Sequence, residues 1–292
     1  MTAGPAPAGS YDPAHTTRGG LAAEIARLDA QAELTWSEEA RILRELGVLG
    51  VGALLDVGCG PGVVLRRLRP AAPGTTVLGV DHDADLLARA GHEAAVARGS
   101  ADALPFADAS VGAVLMRYVL QHLPDPSAAV REAARVLRPG GTLAAVEVDA
   151  ELWGACDPTF PTVRSINTRM AETQRRAGGD RSVGRRLTRL LAAGGLTDVV
   201  LRPFAVTSDG RDIADFAVHL GPDRLVPAVE DGRMSILDLG VATAVWERFR
   251  ADPDAWVMLL GFVAAGRAPL GGARPKSESP FPSVHEEYDE LG

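Results

Sequence analysis

The chain is poor in the residues that usually make covalent frameworks. Two cysteines in 292 residues, Cys59 and Cys156, give no disulfide scaffold and no cysteine metal cluster. A reducing compartment, the cytoplasm, is therefore expected. Lys276 is the one lysine among 30 basic residues. A catalytic or Schiff-base lysine in residues 1–275 is thus impossible. No apolar run reaches 18 residues, so no membrane-spanning helix is expected. The first 15 residues have neither a basic start nor an apolar centre, so no secretion signal is expected. The net charge is −8, and half of it sits in residues 276–292. Without a basic run, such a chain is ill suited to grip nucleic-acid phosphates.

What is present is ordinary for a globular enzyme: 46% hydrophobic and 23% charged residues. The length suits one large domain or a domain with a lid. Residues 1–10 are rich in Ala, Pro and Gly. Helical spacing runs from Leu21 through Ile25 and Leu28 to Ile42, Leu43 and Leu46, with Gly47 as the stop. Short apolar runs at 53–57, 76–80, 111–116, 142–148, 199–207 and 256–264 read as strands. Residues 63–68, 83–97, 127–137, 160–176 and 183–193 read as helices between them. Such alternation implies βαβ units around a parallel sheet with right-handed crossovers. Helix-like segments at 212–220 and 232–250 form an insertion over the sheet edge. From about residue 269 the composition is that of a disordered acidic tail.

The strongest motif is Leu54-Leu55-Asp56-Val57-Gly58-Cys59-Gly60-Pro61-Gly62. A strand runs into glycines that permit a sharp turn and close approach of a ligand, and a helix N-terminus faces the same space. The dinucleotide fingerprint G-x-G-x-x-G is broken, because Val63 stands where its third glycine belongs. A P-loop is excluded, since no G-x-x-x-x-G-K-[ST] exists. Asp81 ends the second strand, 21 residues after Gly60, where a carboxylate can accept both ribose hydroxyls. A ribose carboxylate without the pyrophosphate pattern suggests a nucleoside without phosphates. Cys59 reads as a small spacer in the turn.

These residues resemble the class I S-adenosylmethionine-dependent methyltransferases, in their small-molecule branch. Asp56–Gly62 is similar to the family's first motif and Gly79-Val80-Asp81 to its second. Residues 99–106, 119–125 and 137–141 are similar to its later segments. The resemblance implies a three-layer α/β, Rossmann-like fold with a mostly parallel seven-stranded sheet. On that basis residues 1–46 are an N-terminal segment and cap, and 47–207 the cofactor-binding core. Residues 208–252 are then a helical lid, 253–268 the last strand, and 269–292 the tail. It also implies S-adenosylmethionine as cofactor, and no metal. Gly58 and Gly60 are expected under its methionine part, with Asp56 steering the amino group directly or through water. Asp81 is expected on the ribose, His82 against the adenine face, and Asp102 with the Ala103 amide on the adenine edge. Arg117 is expected at the methionine end, and Gln31, Tyr11 and Arg18 are expected to close over the cofactor.

The implied reaction is methyl transfer to a small molecule, with oxygen as the expected acceptor atom. His122, after the fourth strand, is the first candidate for a base; the alternative is a packed or capping histidine. Glu147 and Asp149, after the fifth strand, are expected at the cleft rim, with a solvated strand end as the alternative. Trp36, Trp153, Phe160 and Phe216 either line an acceptor pocket or belong to the core. The cluster Arg175, Arg176, Arg181, Arg185, Arg186 and Arg189 either draws an acidic substrate or forms the wet face of two helices. His219 in the lid reads as a surface residue. Two further classes fit the motifs: a cofactor-dependent cyclisation or rearrangement, and a non-catalytic cofactor-binding regulator. The mass of the product separates them. A membrane partner is not expected.

Overall fold

Apolar runs that show no alternation are strands covered on both faces. The chain bears this out in a computed structural model that describes residues 10–11, 20–152, 154–159, 161–230 and 232–271, with backbone alone at 161–167 and 227. The strands are β1 (Ala53–Val57), β2 (Thr76–Asp81), β3 (Ala95–Arg98), β4 (Val111–Arg117), β5 (Leu137–Glu147), β6 (Gly154–Asp157), β7 (Thr197–Thr207) and β8 (Trp256–Arg267). They form one sheet in the order β3-β2-β1-β4-β5-β8-β6, with β7 also paired to β8. The pairs from β3 to β5 are parallel. Only β8 is reversed, and it runs antiparallel to β5, β6 and β7.

Eight strands stand where seven were expected. The additional one, β6, continues along the edge of β8 beyond the segment paired with β5: residues 154–157 face 256–259, and residues 142–147 face 262–267. A second correction falls at residues 83–97. Helix α3 covers only Ala84–Ala90, capped by Asp83, whose carboxylate accepts from the Asp85 and Leu86 amides. Gly91 closes it, and Ala95–Arg98 pairs with β2 instead. Alanine favours helix locally, but the open edge of β2 offers a hydrogen-bonding ladder that overrides the preference.

Neighbouring side chains in each central strand point to opposite faces. Leu54, Leu115, Ala144 and Val146 pack beneath α1 (Gly20–Glu45), α2 (Val63–Ala71) and α3. Leu55, Val57, Val114, Met116 and Ala145 pack against α4 (Pro126–Val136) and α6 (Leu187–Ala193). The three layers follow. The helix α5 (Pro161–Arg176) connects β6 toward α6. The expected insertion carries α7 (Ala217–Leu220), α8 (Val226–Glu230) and α9 (Ile236–Arg250). Phe216 and Trp36 belong to this core, whereas Trp153 and Phe160 lie outside the described residues.

The strand order turns at β1, between β2 and β4, which places a crevice at the C-terminal ends of β1 and β4. One ion pair clamps α1 over it. Arg117, the last residue of β4, donates from Nε to Glu39 Oε2 at 2.6 Å and from Nη2 to Thr35 Oγ1 at 3.0 Å. Glu39 is fully buried and Arg117 nearly so. Breaking a buried pair from one side leaves an uncompensated charge, at about 3–5 kcal/mol. Glu39→Ala is expected to lower unfolding free energy by that amount in urea titrations. A loss below about 1 kcal/mol, the scale of surface pairs, would show that the clamp is dispensable.

Candidate active site

The turn after β1 is fixed by its own backbone. The Gly58 and Cys59 amides both donate to the Val80 carbonyl, at 2.7 and 3.0 Å. The Gly60 amide donates to Asp81 Oδ2 at 2.8 Å. Gly58 has φ +71°, and a Cβ there would sit 2.5 Å from Val119 Cγ2. Only glycine lets the turn lie against the segment after β4. Burial opposes ionisation of Asp81, but His82 and the Asp83 and Gly60 amides outweigh it and hold the carboxyl below its usual range. Burial pushes the Cys59 thiol up, consistent with its reading as an inert spacer.

A cavity of about 1590 Å³ opens beside this turn. Of the expected residues, Tyr11, Gln31, Gly58, Gly60, Asp81, His82, Asp102, Arg117 and His122 line it. Arg18 lies outside the described residues. Asp56, Ala103 and Glu147 are not part of the lining. Asp56 is sealed beneath the glycine turn, 2% exposed, with Oδ2 unpartnered. Burial pushes its pKa up to about 8, against the pull of Arg117. The Ala103 amide, expected on a ligand edge, is already donated to the Ser100 carbonyl at 3.1 Å. Asp102 accepts a short hydrogen bond from the Ser100 hydroxyl.

Three sequence expectations are corrected here. Glu147 does not face the cleft rim. It is wholly buried under the 119–121 turn, whose Gln121 amide donates to its Oε1 at 3.3 Å. Burial pushes its pKa up to about 8. Asp149 is equally buried and is engaged by the Arg185 guanidinium, with Nη2 at 2.7 Å from Oδ1. His219, read as a surface residue, is buried and lines the cavity.

His122 does line the cavity, but its chemistry differs from that of a base. Gln174 Nε2 donates to the Gln121 carbonyl at 2.7 Å, which fixes the orientation of that amide. The same Nε2 lies 3.2 Å from His122 Nδ1. An amide nitrogen only donates, so Nδ1 is an acceptor and the proton sits on Nε2. Ser10 Oγ stands 3.1 Å from the same Nδ1, and Tyr11 packs on the ring at 5.2 Å. Burial, with Arg181 and Arg27 adding to it, pulls the pKa down to about 3. The ring therefore stays neutral at physiological pH.

The sequence reading missed several residues of the wall: Arg27, Gln121, Gln174 and Arg224. Arg181, counted with a solvated helix face, also lines it. Glu24 stands just behind, accepting from Tyr11 Oη at 2.6 Å and from Arg27 Nη2 at 2.6 Å. Gln121 falls inside the 119–125 motif without being singled out by it, and no motif marks Gln174 or Arg224.

Residues 55–145 match the family model described as a methyltransferase domain. Over these residues the chain carries a methyltransferase domain. It is 31% identical over 198 residues to an uncharacterized 37.1 kDa protein in transposon TN4556 of Streptomyces fradiae, covering 65% of this chain and 56% of that one. It is 38% identical over 102 residues to a demethylmenaquinone methyltransferase of Roseiflexus castenholzii, covering 33% and 43%. The chain thus spans about half the length of these curated relatives. Among solved structures, the fold is similar to a putative methyltransferase complexed with the Haloferax volcanii Trm112 activator. That likeness has a TM-score of 0.54 and 19% identity, covering 85% and 96% of the two chains. A possible histamine N-methyltransferase of Thermotoga maritima gives a TM-score of 0.52 at 18% identity, covering 85% and 94%.

The residues present fit the family's cofactor. The cradle at Gly58 leaves no room for a side chain, Asp81 is held ionised at its lip, and Asp56 Oδ2 lacks a partner beneath it. Asp81→Ala is expected to weaken S-adenosylhomocysteine binding by roughly 1.5–3 kcal/mol per charge-assisted bond lost. Gly58→Val is expected to weaken it further. Calorimetry reads both; an Asp81→Ala variant with wild-type affinity would refute the ribose assignment.

His122 also gives a pH signature. Its folded pKa is depressed, so the unfolded chain takes the proton first as pH falls. The stability tied to neutral His122 is complete above about 6.5 and is lost as pH falls toward about 3. Between pH 7 and 5, wild type is expected to lose roughly 1–2 kcal/mol more than His122→Gln in urea titrations. Parallel losses would show that the ring is protonated in the fold.

Proposed function

We propose that the protein transfers the methyl group of S-adenosylmethionine to an oxygen atom of a small-molecule acceptor. The observation that carries this reading is the cavity itself. At about 1590 Å³ it exceeds the roughly 300–1,000 Å³ of a single-ligand pocket, and it runs from the glycine cradle to the insertion. Space for a nucleoside cofactor and a second small molecule is what methyl transfer requires.

The cofactor supplies an electrophilic methyl on a sulfonium when bound. Gly58, Gly60 and Asp81 would hold it, with Asp56 answering its amino group from below and His82 and Asp102 at the nucleoside end. The chain's own contribution is position and enclosure. Arg117 is held by Glu39 and Thr35 at the end of β4, so the floor beneath the reacting atoms is rigid. Ala217, His219 and Leu225 of the insertion roof the cavity, so residues 208–252 act as its lid. His122 guides the acceptor as a neutral ring with its proton on Nε2, not as a proton acceptor.

The test is turnover with candidate acceptors, read by mass as a gain of one methylene together with S-adenosylhomocysteine. His122→Gln keeps polarity and reach. Its turnover is expected to stay within about threefold of wild type, with no acid limb near the ordinary histidine pKa across about pH 6–9. A general base contributes roughly 10²–10⁴-fold, so a loss of that size with an acid limb would restore the base.

A further inference from the structure

Among the arginines that line the cavity, three from separate elements bear on one another: Arg27 from α1, Arg181 from the connection between α5 and α6, and Arg224 from the turn before α8. Arg27 has its countercharge, because Glu24 takes its Nε and Nη2 at 2.8 and 2.6 Å. Arg181 and Arg224 have no such contact; Glu147 and Glu24 bear on them electrostatically, but from beyond ion-pair distance. Arg181 makes one long hydrogen bond, from Nη1 to Gln174 Oε1 at 3.4 Å, and its Nε is buried without a partner. Arg224 makes one, from Nη1 to the His219 carbonyl at 3.3 Å. Among the described residues, neither has a carboxylate within ion-pair distance.

The arrangement is costly as it stands. Burial, and the repulsion of Arg27, pull the Arg181 pKa down to about 10 against the attraction of Glu147. Burial, with Arg181 and Arg27 adding to it, pulls Arg224 well below its usual value. A buried charge is stable when paired and expensive when not. The fold also spends specific geometry on holding Arg181 there. Its loop packs on the floor through the Asp180 amide, which donates to the Gln121 carbonyl at 2.7 Å. A Cβ at Gly179 would come within 2.5 Å of that same carbonyl oxygen. Guanidinium forks bind oxyanions through two parallel hydrogen bonds to a pair of oxygens, which a lone carboxylate or phosphate provides. The walls nearby add Met170, Leu225 and Met234, an apolar surface for the rest of such a molecule.

We propose that the acceptor is an anionic small molecule with an apolar body, whose carboxylate or phosphate is bound by Arg181 and Arg224. This inference rests on the methyltransferase reading for the word acceptor, but the anion site itself does not. It makes the two arginines specificity residues for substrate charge. For Arg181 it favours one of the two sequence readings, that its cluster draws an acidic substrate, over the wet helix face.

The probes are benzoate, phenyl phosphate and the uncharged isostere benzamide, titrated into full-length protein saturated with S-adenosylhomocysteine. Thermal shift and ligand-observed NMR report binding. Benzoate or phenyl phosphate is expected to raise the melting temperature, with benzamide at least about tenfold weaker, as the loss of a charge-assisted pair implies. Preference between the two anions identifies carboxylate or phosphate as the natural group. Arg181→Gln and Arg224→Gln are each expected to weaken the anion about tenfold or more while S-adenosylhomocysteine affinity stays within about twofold. Equal binding of benzamide and benzoate overturns the proposal, as do variants that bind the anions like wild type. A parallel fall in S-adenosylhomocysteine affinity overturns it too, by assigning the arginines to the cofactor. If a variant does not fold, the benzoate and benzamide comparison in wild type decides. Wild type that binds the anions but not S-adenosylhomocysteine would remove the methyltransferase reading and leave the anion site standing.

Discussion

Arg117 cannot be left unpaired at the end of β4, and the answer to its charge organises one side of the site. The pair with Glu39 draws α1 across the C-terminal ends of the strands. Thr35 joins the same network, donating to Glu39 Oε1 at 2.8 Å and accepting from Arg117. Once α1 lies there, Gln31 and Arg27, about one and two turns before Thr35, are carried to the cavity wall, with Glu24 about a turn further back behind them. The same helix is fastened to α2 from outside, where Arg66 and Arg67 both reach Asp29 at 2.7 Å. Exposed pairs of that kind contribute little energy, so the buried pair sets the position and the outer ones follow it.

The segment after β4 then becomes a hub. Val119 fills the space that Gly58 leaves open, which couples the glycine turn to the floor. The Gln121 carbonyl accepts from both Gln174 and the Asp180 amide, which couples the floor to α5 and to the loop bearing Arg181. Glu147 accepts from the Gln121 amide beneath. A carboxylate placed there is a support for the turn, and its burial explains why it makes a poor partner for a ligand above. The cofactor cradle and the anion cluster are therefore two faces of one short stretch of chain.

The parts of this arrangement that were legible in the sequence are those set by local rules. The strand–glycine–helix run and Asp81 carry their own geometry, because turn conformation and strand ends follow from a few neighbouring residues. The apolar runs of β1, β4 and β5 identified a sheet buried on both faces. What stayed hidden depends on tertiary contact. The 83–97 stretch is helical by composition, and only the free edge of β2 turns its second half into a strand. Glu147 and Asp149 end a strand, but the side on which their carboxylates fall is decided by the turn above. His219 looked solvated and Arg181 was left between a substrate site and a wet helix face, since nothing in their own neighbourhoods announces that two distant segments meet at the same space.

The last consequence concerns charge. The whole chain is acidic, with a net charge of −8, and that balance argues against long polyanions as partners. The cavity wall is mixed, with Asp81 and Asp102 at the cradle end, but one corner has the opposite local character, since Arg27, Arg181 and Arg224 converge there with Glu24 engaged by Arg27. Global and local electrostatics therefore select different things. Screening confines the outer field to about 8 Å at physiological ionic strength, whereas charges inside a low-dielectric enclosure are screened far less. A small anion that enters is met by groups whose own burial cost it relieves, while a long phosphate backbone has no basic surface to follow. On the proposed reading, selectivity for a small charged molecule comes from the contrast between an acidic exterior and the cationic corner formed by Arg27, Arg181 and Arg224.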